Sequence, residues 1–296
     1  MKIIVTGSLG HIGKPLTEIL IEKGFDVAVI SSSQARKNEI EEIGAKAMIG
    51  SVEDADFLSK AFAGADAVFA MNPPNYEKQD QVKYYTEIAE NYARAIEANK
   101  IGRVVYLSSY GAHLEKETGY ILGSHFAEEI LGKLAGTHIT YLRAGYFYYN
   151  LFGYTEMIRQ QGEIATNYGG NDFVPLVSPK DIARAAAEEL EKQDNFKKVR
   201  YVVSDEKTAQ EIAAVLGTAI GKPELKWKTL TDQQMAEGMR HRHIPEEMIK
   251  NWVEMGAKIH NGELVGDYRK NKPEKLGEIK LEDFAEEFAR GYKQEN

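Results

Sequence analysis

Apolar and polar positions along this chain follow two alternating periods. Short apolar runs at Lys2–Val5, Asp26–Ile30, Lys46–Ile49, Ala67–Met71, Arg103–Leu107 and Ile139–Leu142 read as buried strands. Between them, apolar residues recur every three or four positions over His11–Ile21, Gln34–Ile43, Glu53–Phe62, Gln79–Ala98 and Ser124–Leu134, which predicts helices. Strands alternating with helices predict an α/β fold: a doubly wound parallel sheet with helices on both faces. After Arg143 the pattern loosens. Tyr146–Phe152 is aromatic-rich, Tyr154–Gln161 reads as a helix and Phe173–Val177 as a short strand. Pro179 and Asp181 open a helix through Glu191, and Val199–Val203 supplies a seventh strand. From Thr208 the chain is mainly helical and polar, and EDFAEEFAR near its end places Phe284 and Phe288 on one face of an amphipathic helix. The expected division is a nucleotide-binding domain over 1–207 and a small substrate-side lobe over 208–296, with 146–175 joining the lobe in part.

The first strand runs into a turn with glycines at 7, 10 and 13, and a helix follows in which Ile12, Leu16, Ile19 and Leu20 share one side. Strand, glycine turn and helix in that order begin a dinucleotide-binding βαβ unit. Gly7 suits the tight turn. Gly10 lets the backbone approach a pyrophosphate, whose charge favours a helix N-terminus, and Gly13 lets the helix pack close to the strand.

Composition narrows the class. The 296 residues carry a formal charge of −8, which argues against a general nucleic-acid or membrane-surface binder, since both need a basic face. With no cysteine there is no disulfide, thiolate nucleophile or cysteine metal site. No apolar run approaches the ~20 residues of a membrane helix. The chain enters its first strand with no signal segment ahead of it, so the expectation is a cytoplasmic protein acting on a small molecule, as a monomer or a homodimer.

The end of the second strand reads the adenosine ribose in such folds, and a carboxylate there favours NAD. Here Ser31, Ser32 and Ser33 follow the strand, with Arg36 and Lys37 beyond. Hydroxyls donate to a 2′-phosphate and Arg36 can pair with it, so NADP is expected over NAD.

The segments TGSLGHIG, GSVEDADFLSKAFAGADAVF, VVYLSSYGAH, ILGSHFAEEIL, ITYLRAGYFYYNL and VPLVSPKDIARAAAEEL stand in the order found in NmrA-like atypical short-chain dehydrogenases/reductases, which the chain resembles from Met1 to about Val203. That group includes quinone oxidoreductases, triphenylmethane- and azo-dye reductases, and redox-sensing regulators. The resemblance implies a Rossmann-type sheet with a smaller, mainly helical C-terminal lobe. It also implies that Gly7, Ser8, Leu9, Gly10, His11 and Ile12 wrap the pyrophosphate and that Ser31–Ser33 and Arg36 lie by the adenosine ribose. Ser51 and Val52 would lie near adenine, Met71, Asn72 and Pro73 by the nicotinamide-side ribose, and Ser108 and Ser109 beside the nicotinamide. Gly145–Tyr148 would form the far wall. Two positions depart from the family: Ser32 stands where Arg is frequent, and Gly50-Ser51 where Gly-Asp is frequent.

Typical short-chain dehydrogenases use Y-x-x-x-K, in which Lys lowers the pKa of a Tyr acid–base. In TGYILGSHFAEE, Tyr120 is followed four residues later by Ser124, and alignment on Glu129 puts Ile121 and His125 in the two positions. Neither register gives Tyr plus Lys. Hydride transfer to an electrophilic quinone or dye demands less: a dry pocket that stacks a planar acceptor on the nicotinamide. His125 is the candidate polar group, as hydrogen-bond partner or proton donor. His113, in the loop after the fifth strand, is a weaker one. Tyr146 is the second catalytic candidate, and Pro74, Tyr110, Tyr146, Phe147 and Tyr148 are expected to line the acceptor pocket. Trp227 and Trp252 are read as packing, Asp181 as a helix-start residue favoured by the dipole. His241 and His243 with Glu246 and Glu247 lack the convergence a metal needs, because i and i+2 do not share a helix face. Two functions fit: an NADP-dependent reductase of a quinone-like or dye-like acceptor, and a non-catalytic NAD(P)-binding redox sensor.

Overall fold

Ile3, Ile4 and Val5 are buried on both faces of one strand, which is why the first apolar run is continuous and does not alternate. That strand, β1 (Lys2–Val5), is an inner strand of a seven-stranded sheet in the computed structural model of the protein, which describes residues 1–75 and 77–294. Along the chain follow α1 (Gly13–Glu22), β2 (Asp26–Ser31), α2 (Lys37–Glu42), β3 (Lys46–Ile49), α3 (Ala55–Ala61), β4 (Ala67–Ala70), α4 (Gln81–Asn99), β5 (Arg103–Ser109), α5 (Ile121–Leu131) and β6 (His138–Ala144). Then come β7 (Tyr146–Phe147), α6 (Thr155–Gln161), β8 (Ile164–Thr166), β9 (Phe173–Val177), α7 (Pro179–Glu191), β10 (Val199–Val202), β11 (Asp205–Thr208) and α8 (Ala209–Ala219). The chain ends with β12 (Trp227–Thr229), α9 (Asp232–His241), α10 (Glu246–His260), α11 (Gly266–Lys270) and α12 (Leu281–Gln294).

The large sheet has the order β10-β6-β5-β4-β1-β2-β3. β1 pairs in parallel with β2 on one side and with β4 on the other, through Ile4↔Ala28 and Ile4↔Val68. Strand order therefore reverses between β1 and β4. This is the doubly wound, Rossmann-type arrangement, whose ligand crevice opens at the carboxyl ends of the strands at that reversal. The ends are tied together there: Met71 N donates to Thr6 Oγ1 (3.0 Å), and the buried Tyr92 hydroxyl donates to Met71 O (2.7 Å).

Two compact units emerge. One comprises Met1–Ala112, Gly123–Arg143 and Ile182–Arg200; the other comprises His113–Leu122, Ala144–Asp181 and Tyr201–Asn296. The core of the first is built from Ile4, Phe62, Ile88, Tyr92, Val104 and Tyr106. In the second, β11 pairs antiparallel and β7 parallel with β9, and β12 pairs with β8. Phe288 of α12 stacks on Phe152, with ring centroids 5.3 Å apart, and Phe284 is buried too, as the amphipathic pattern requires.

Some boundaries differ from the sequence reading. The expected helix from His11 starts at Gly13, because the glycine turn occupies the preceding residues. The expected Ser124–Leu134 helix runs instead from Ile121 to Leu131; Gly132 follows it and Gly136 is left-handed at φ +77°, so helix propensity is lost there. β8, β11 and β12 have no counterpart in the reading, since strands of three or four residues are too short to show a period. Among the described residues no helix is long and apolar enough to cross a membrane.

Asp181 does more than begin a helix. It is only 5% exposed, and its carboxylate accepts from Ser204 Oγ (2.6 Å), Ile279 N (3.1 Å) and Glu278 N (3.2 Å). The segment leading into α12 is thereby pinned within the second unit. Asp181→Asn turns an acceptor toward these donors into an NH2 group, and the expected loss is roughly 2–4 kcal/mol of unfolding free energy, read as a lower urea midpoint. Gly13→Ala places Cβ 2.0 Å from Ser8 O, a backbone atom that cannot swing aside. It should lower the same midpoint by more than about 2 kcal/mol.

Candidate functional site

The turn from β1 to α1 has a shape that no ordinary sequence adopts. Gly7 is left-handed (φ +92°), and a Cβ on it would lie 2.4 Å from Met71 Sδ. Ser8 is also left-handed (φ +56°), a conformation costing of order 1 kcal/mol or more outside glycine. Two bonds hold it: Ser8 N donates to Ile30 O (3.0 Å) and Ser8 Oγ to Ser31 Oγ (2.9 Å). Gly13 seats the helix against Ser8. Gly10 differs, since a Cβ there would meet only Gly7 O, at 3.4 Å.

Leu9 and Ile12 are buried and anchor the turn, so only their backbone is suited to a ligand; His11 is exposed. Ile12 stands at the N-cap of α1 and makes no side-chain cap, and the first turn holds no acidic residue. The N-terminal amides and the positive end of the dipole are left for an anion.

At the end of β2, Ser31 is buried and its Oγ also accepts from Ser33 N (3.2 Å). Ser32 and Ser33 are exposed. Arg36 pairs with Glu39 (Nη1–Oε2 2.6 Å), and Lys14 approaches the same carboxylate at 3.8 Å. Ser51 and Val52, expected near adenine, have their side chains engaged: Ser51 Oγ accepts from Glu53 N (3.1 Å) in the turn before α3, and Val52 belongs to the apolar core. The backbone of both and the hydroxyl proton of Ser51 remain for the base.

Beyond β4, Met71 is fixed by Thr6 and Tyr92 as described above. Asn72 donates through Nδ2 to Tyr85 O (3.3 Å), while its Oδ1 is buried and has no partner. A buried amide oxygen without a donor is costly in a protein alone and is suited to a ligand hydroxyl. Pro73 is half-buried and Pro74 exposed.

At the end of β5, Ser108 is 4% exposed and donates to Glu128 Oε1 (2.6 Å). Glu128 is in turn gripped by Arg143, with Nε 3.0 Å from Oε1 and Nη2 2.7 Å from Oε2. Ser109 Oγ donates to Tyr110 O (3.0 Å), and Tyr110 is buried. His125 has a side chain 12% exposed, with Nδ1 3.0 Å from Ala112 O. A carbonyl only accepts, so Nδ1 carries a proton and Nε2 is the ring atom left for another partner. That atom lies 3.7 Å from Glu129 Oε1.

Neither Glu128 nor Arg143 is among the residues expected from sequence. Their signal was faint: one arginine inside the apolar run ITYLRAGY, and one glutamate fifteen positions before it. Charges in such surroundings are seldom buried unless paired.

In the second unit the aromatic cluster divides. The Tyr146 hydroxyl lies 3.2 Å from that of Tyr154, which lies 2.8 Å from that of Tyr168. Burial raises the Tyr146 and Tyr168 phenols well above their ordinary range. Tyr146 thus lacks what an acid–base tyrosine needs, a neighbouring cation that lowers its pKa; its hydroxyl is bonded to another phenol. Tyr148, expected in the acceptor pocket, is a packing residue: it is 1% exposed, stacked on Phe284 at 5.3 Å, and donates to Ile279 O (3.0 Å). Phe147 is half-buried against Tyr149. Trp227 is core, with Nε1 donating to Thr166 Oγ1 (2.8 Å), and Trp252 packs edge-on to Tyr120. Near His241 and His243, Arg240 holds Glu246 at 2.7 and 3.0 Å.

Several known proteins resemble the chain over most of its length. The NAD(P)H azoreductase of Xenophilus azovorans is 25% identical over 257 residues, 86% of each chain. Among solved structures, a triphenylmethane reductase of Citrobacter sp. superposes with a TM-score of 0.80 at 20% identity, over 98% of this chain and 100% of the other. An NADPH-dependent quinone oxidoreductase of Escherichia coli, complexed with NADPH, gives 0.81 at 19% identity, over 96% and 99%. The model of the NmrA-like family matches residues 1–287. That span takes in the glycine turn, the Ser108–Glu128–Arg143 group and the first half of α12, and on it the chain belongs to the NmrA-like family.

Proposed function

We propose that this protein is an NADPH-preferring reductase that delivers hydride to a planar, electrophilic acceptor of quinone or dye type. The observation that carries the reading is the β1–α1 turn: an open Gly10 in front of an uncapped, acid-free helix N-terminus. That cradle fits a pyrophosphate. The unpartnered Asn72 Oδ1 fits a ribose hydroxyl. When bound, a nicotinamide cofactor supplies the hydride.

The chain's residues divide the remaining work. Backbone amides of the turn and the α1 N-terminus hold the diphosphate. Ser32, Ser33 and Arg36 face the 2′-phosphate, and Arg36 exchanges its exposed partner Glu39 for it at small cost, because such pairs are worth about 0–1 kcal/mol. In neither register of TGYILGSHFAEE, Tyr120 with Ser124 or Ile121 with His125, does a Tyr–Lys pair stand, so carbonyl and alcohol chemistry by that route is unsupported. An acceptor that is already electrophilic needs no such activation. His125 can hold a proton at Nε2, beside Glu129, for the reduced product. The names of the azoreductase, the triphenylmethane reductase and the quinone oxidoreductase support the same acceptor class.

The direct experiment is NADPH oxidation against a panel of quinones, azo dyes and triphenylmethane dyes. Turnover with at least one class is expected; tight cofactor binding with no turnover on any would assign the protein to nucleotide sensing instead. Gly10→Ala should keep its melting temperature, since the methyl meets only Gly7 O at 3.4 Å, yet weaken NADPH by about tenfold or more by standing where the diphosphate approaches. Glu39→Gln frees Arg36 and should tighten NADPH by roughly two- to fivefold while leaving NADH unchanged. Both are read by calorimetric titration.

A further inference from the structure

Ser108 is the penultimate residue of β5, in the half of a doubly wound sheet that receives the second mononucleotide. Its hydrogen bonds fix which way the hydroxyl points. An ionised carboxylate has no proton to give, so the 2.6 Å contact with Glu128 Oε1 makes Ser108 the donor. The length suits an O–H···O⁻ bond. Arg143 fixes the carboxylate through two nitrogens, Nε on Oε1 at 3.0 Å and Nη2 on Oε2 at 2.7 Å, and this two-point pairing orients it. The helical frame is fixed as well, since the buried Tyr141 hydroxyl donates to Glu128 O (2.9 Å). The single hydroxyl proton of Ser108 is therefore consumed, and the oxygen offers only lone pairs to anything else it meets.

We propose that Ser108 is an acceptor-only contact for the carboxamide N–H of the nicotinamide ring, oriented for that task by Glu128 and Arg143. Glu128 and Arg143 are positioning residues, acting through Ser108. The inference rests on the reading of the protein as a nicotinamide-cofactor reductase and adds to it the polarity of the site. The carboxamide offers two N–H donors, and a hydroxyl locked as an acceptor selects a ring rotamer in which one of them faces β5. It also explains why the acceptor must be electrophilic on its own: Ser108 has no proton with which to polarise a carbonyl.

The test compares binding of NADP with that of its 3-acetylpyridine analogue, in which a methyl group replaces the carboxamide NH2 and the carbonyl is kept. Titration calorimetry on the full chain needs no turnover. The wild type should bind NADP about tenfold more tightly than the analogue, the worth of one well-made hydrogen bond. Ser108→Ala should erase the difference by weakening NADP alone, leaving the analogue's affinity in place. Glu128→Gln, in which the amide cannot hold both Arg143 and Ser108 as acceptors, frees the hydroxyl proton and should cut the preference to about threefold or less. If Ser108→Ala keeps the preference, the inference is overturned. Wild-type protein that binds both nucleotides equally overturns this inference while the reductase reading stands; wild-type protein that binds neither overturns both. Should Glu128→Gln fail to fold, Ser108→Ala still decides, because it leaves the Glu128–Arg143 pair intact.

Discussion

The left-handed turn at Gly7 is the constraint on which the nucleotide end of this molecule depends. Its φ of +92° is one that side chains rarely adopt, and a Cβ there would also crowd the Met71 side chain. Thr6 reaches Met71 N, and Tyr92 reaches Met71 O from α4, so the ends of β1 and β4 are tied together. From this glycine the chain leaves β1 in a left-handed turn, and α1 begins with no side-chain cap. The left-handed Ser8 is tolerated because it is over-determined, bonded by its backbone to Ile30 and by its hydroxyl to Ser31.

The same turn shows that three glycines in a row of threes are not equivalent. Gly7 and Gly13 are required by the protein itself: Gly7 by its left-handed φ of +92°, and Gly13 by the Ser8 carbonyl, which leaves no room for a Cβ. Gly10 has no such neighbour. Its absence of a side chain answers no need of the folded chain, and its use has to be sought in something the chain receives. A steric argument thus separates the residue that points to a ligand from the two that merely shape the turn.

Much of the large sheet was legible in the sequence because inner strands such as Lys2–Val5 are buried on both faces and read as continuous apolar runs; the half-buried edge strand Lys46–Ile49 also appears with the expected limits. The doubly wound order follows from strands alternating with helices. What was not legible depends on long-range partners. β8 and β12 are three residues each and exist because they pair with one another across the second unit. Tyr148 and Phe147 look alike in sequence, and only packing separates a core ring from a half-buried one. Asp181 reads locally as a helix-start carboxylate, yet two of its partners are nearly a hundred residues downstream.

The group at the end of β5 illustrates the same limit in its chemistry. A motif search asks whether Tyr and Lys stand four apart, and finds Ile121 and His125. It does not ask in which direction a serine proton points. That direction is set by a glutamate on α5 and an arginine on β6, and no local pattern links the three. Yet it determines what the serine can recognise. Two polar side chains at this end of the sheet commit a proton within the protein: Ser108 to Glu128, and His125, through Nδ1, to Ala112 O. The Ser108 oxygen is left with lone pairs alone, and on the reading proposed above that polarity suits the N–H and O–H donors of a nicotinamide riboside better than a partner that offers only acceptors and π faces.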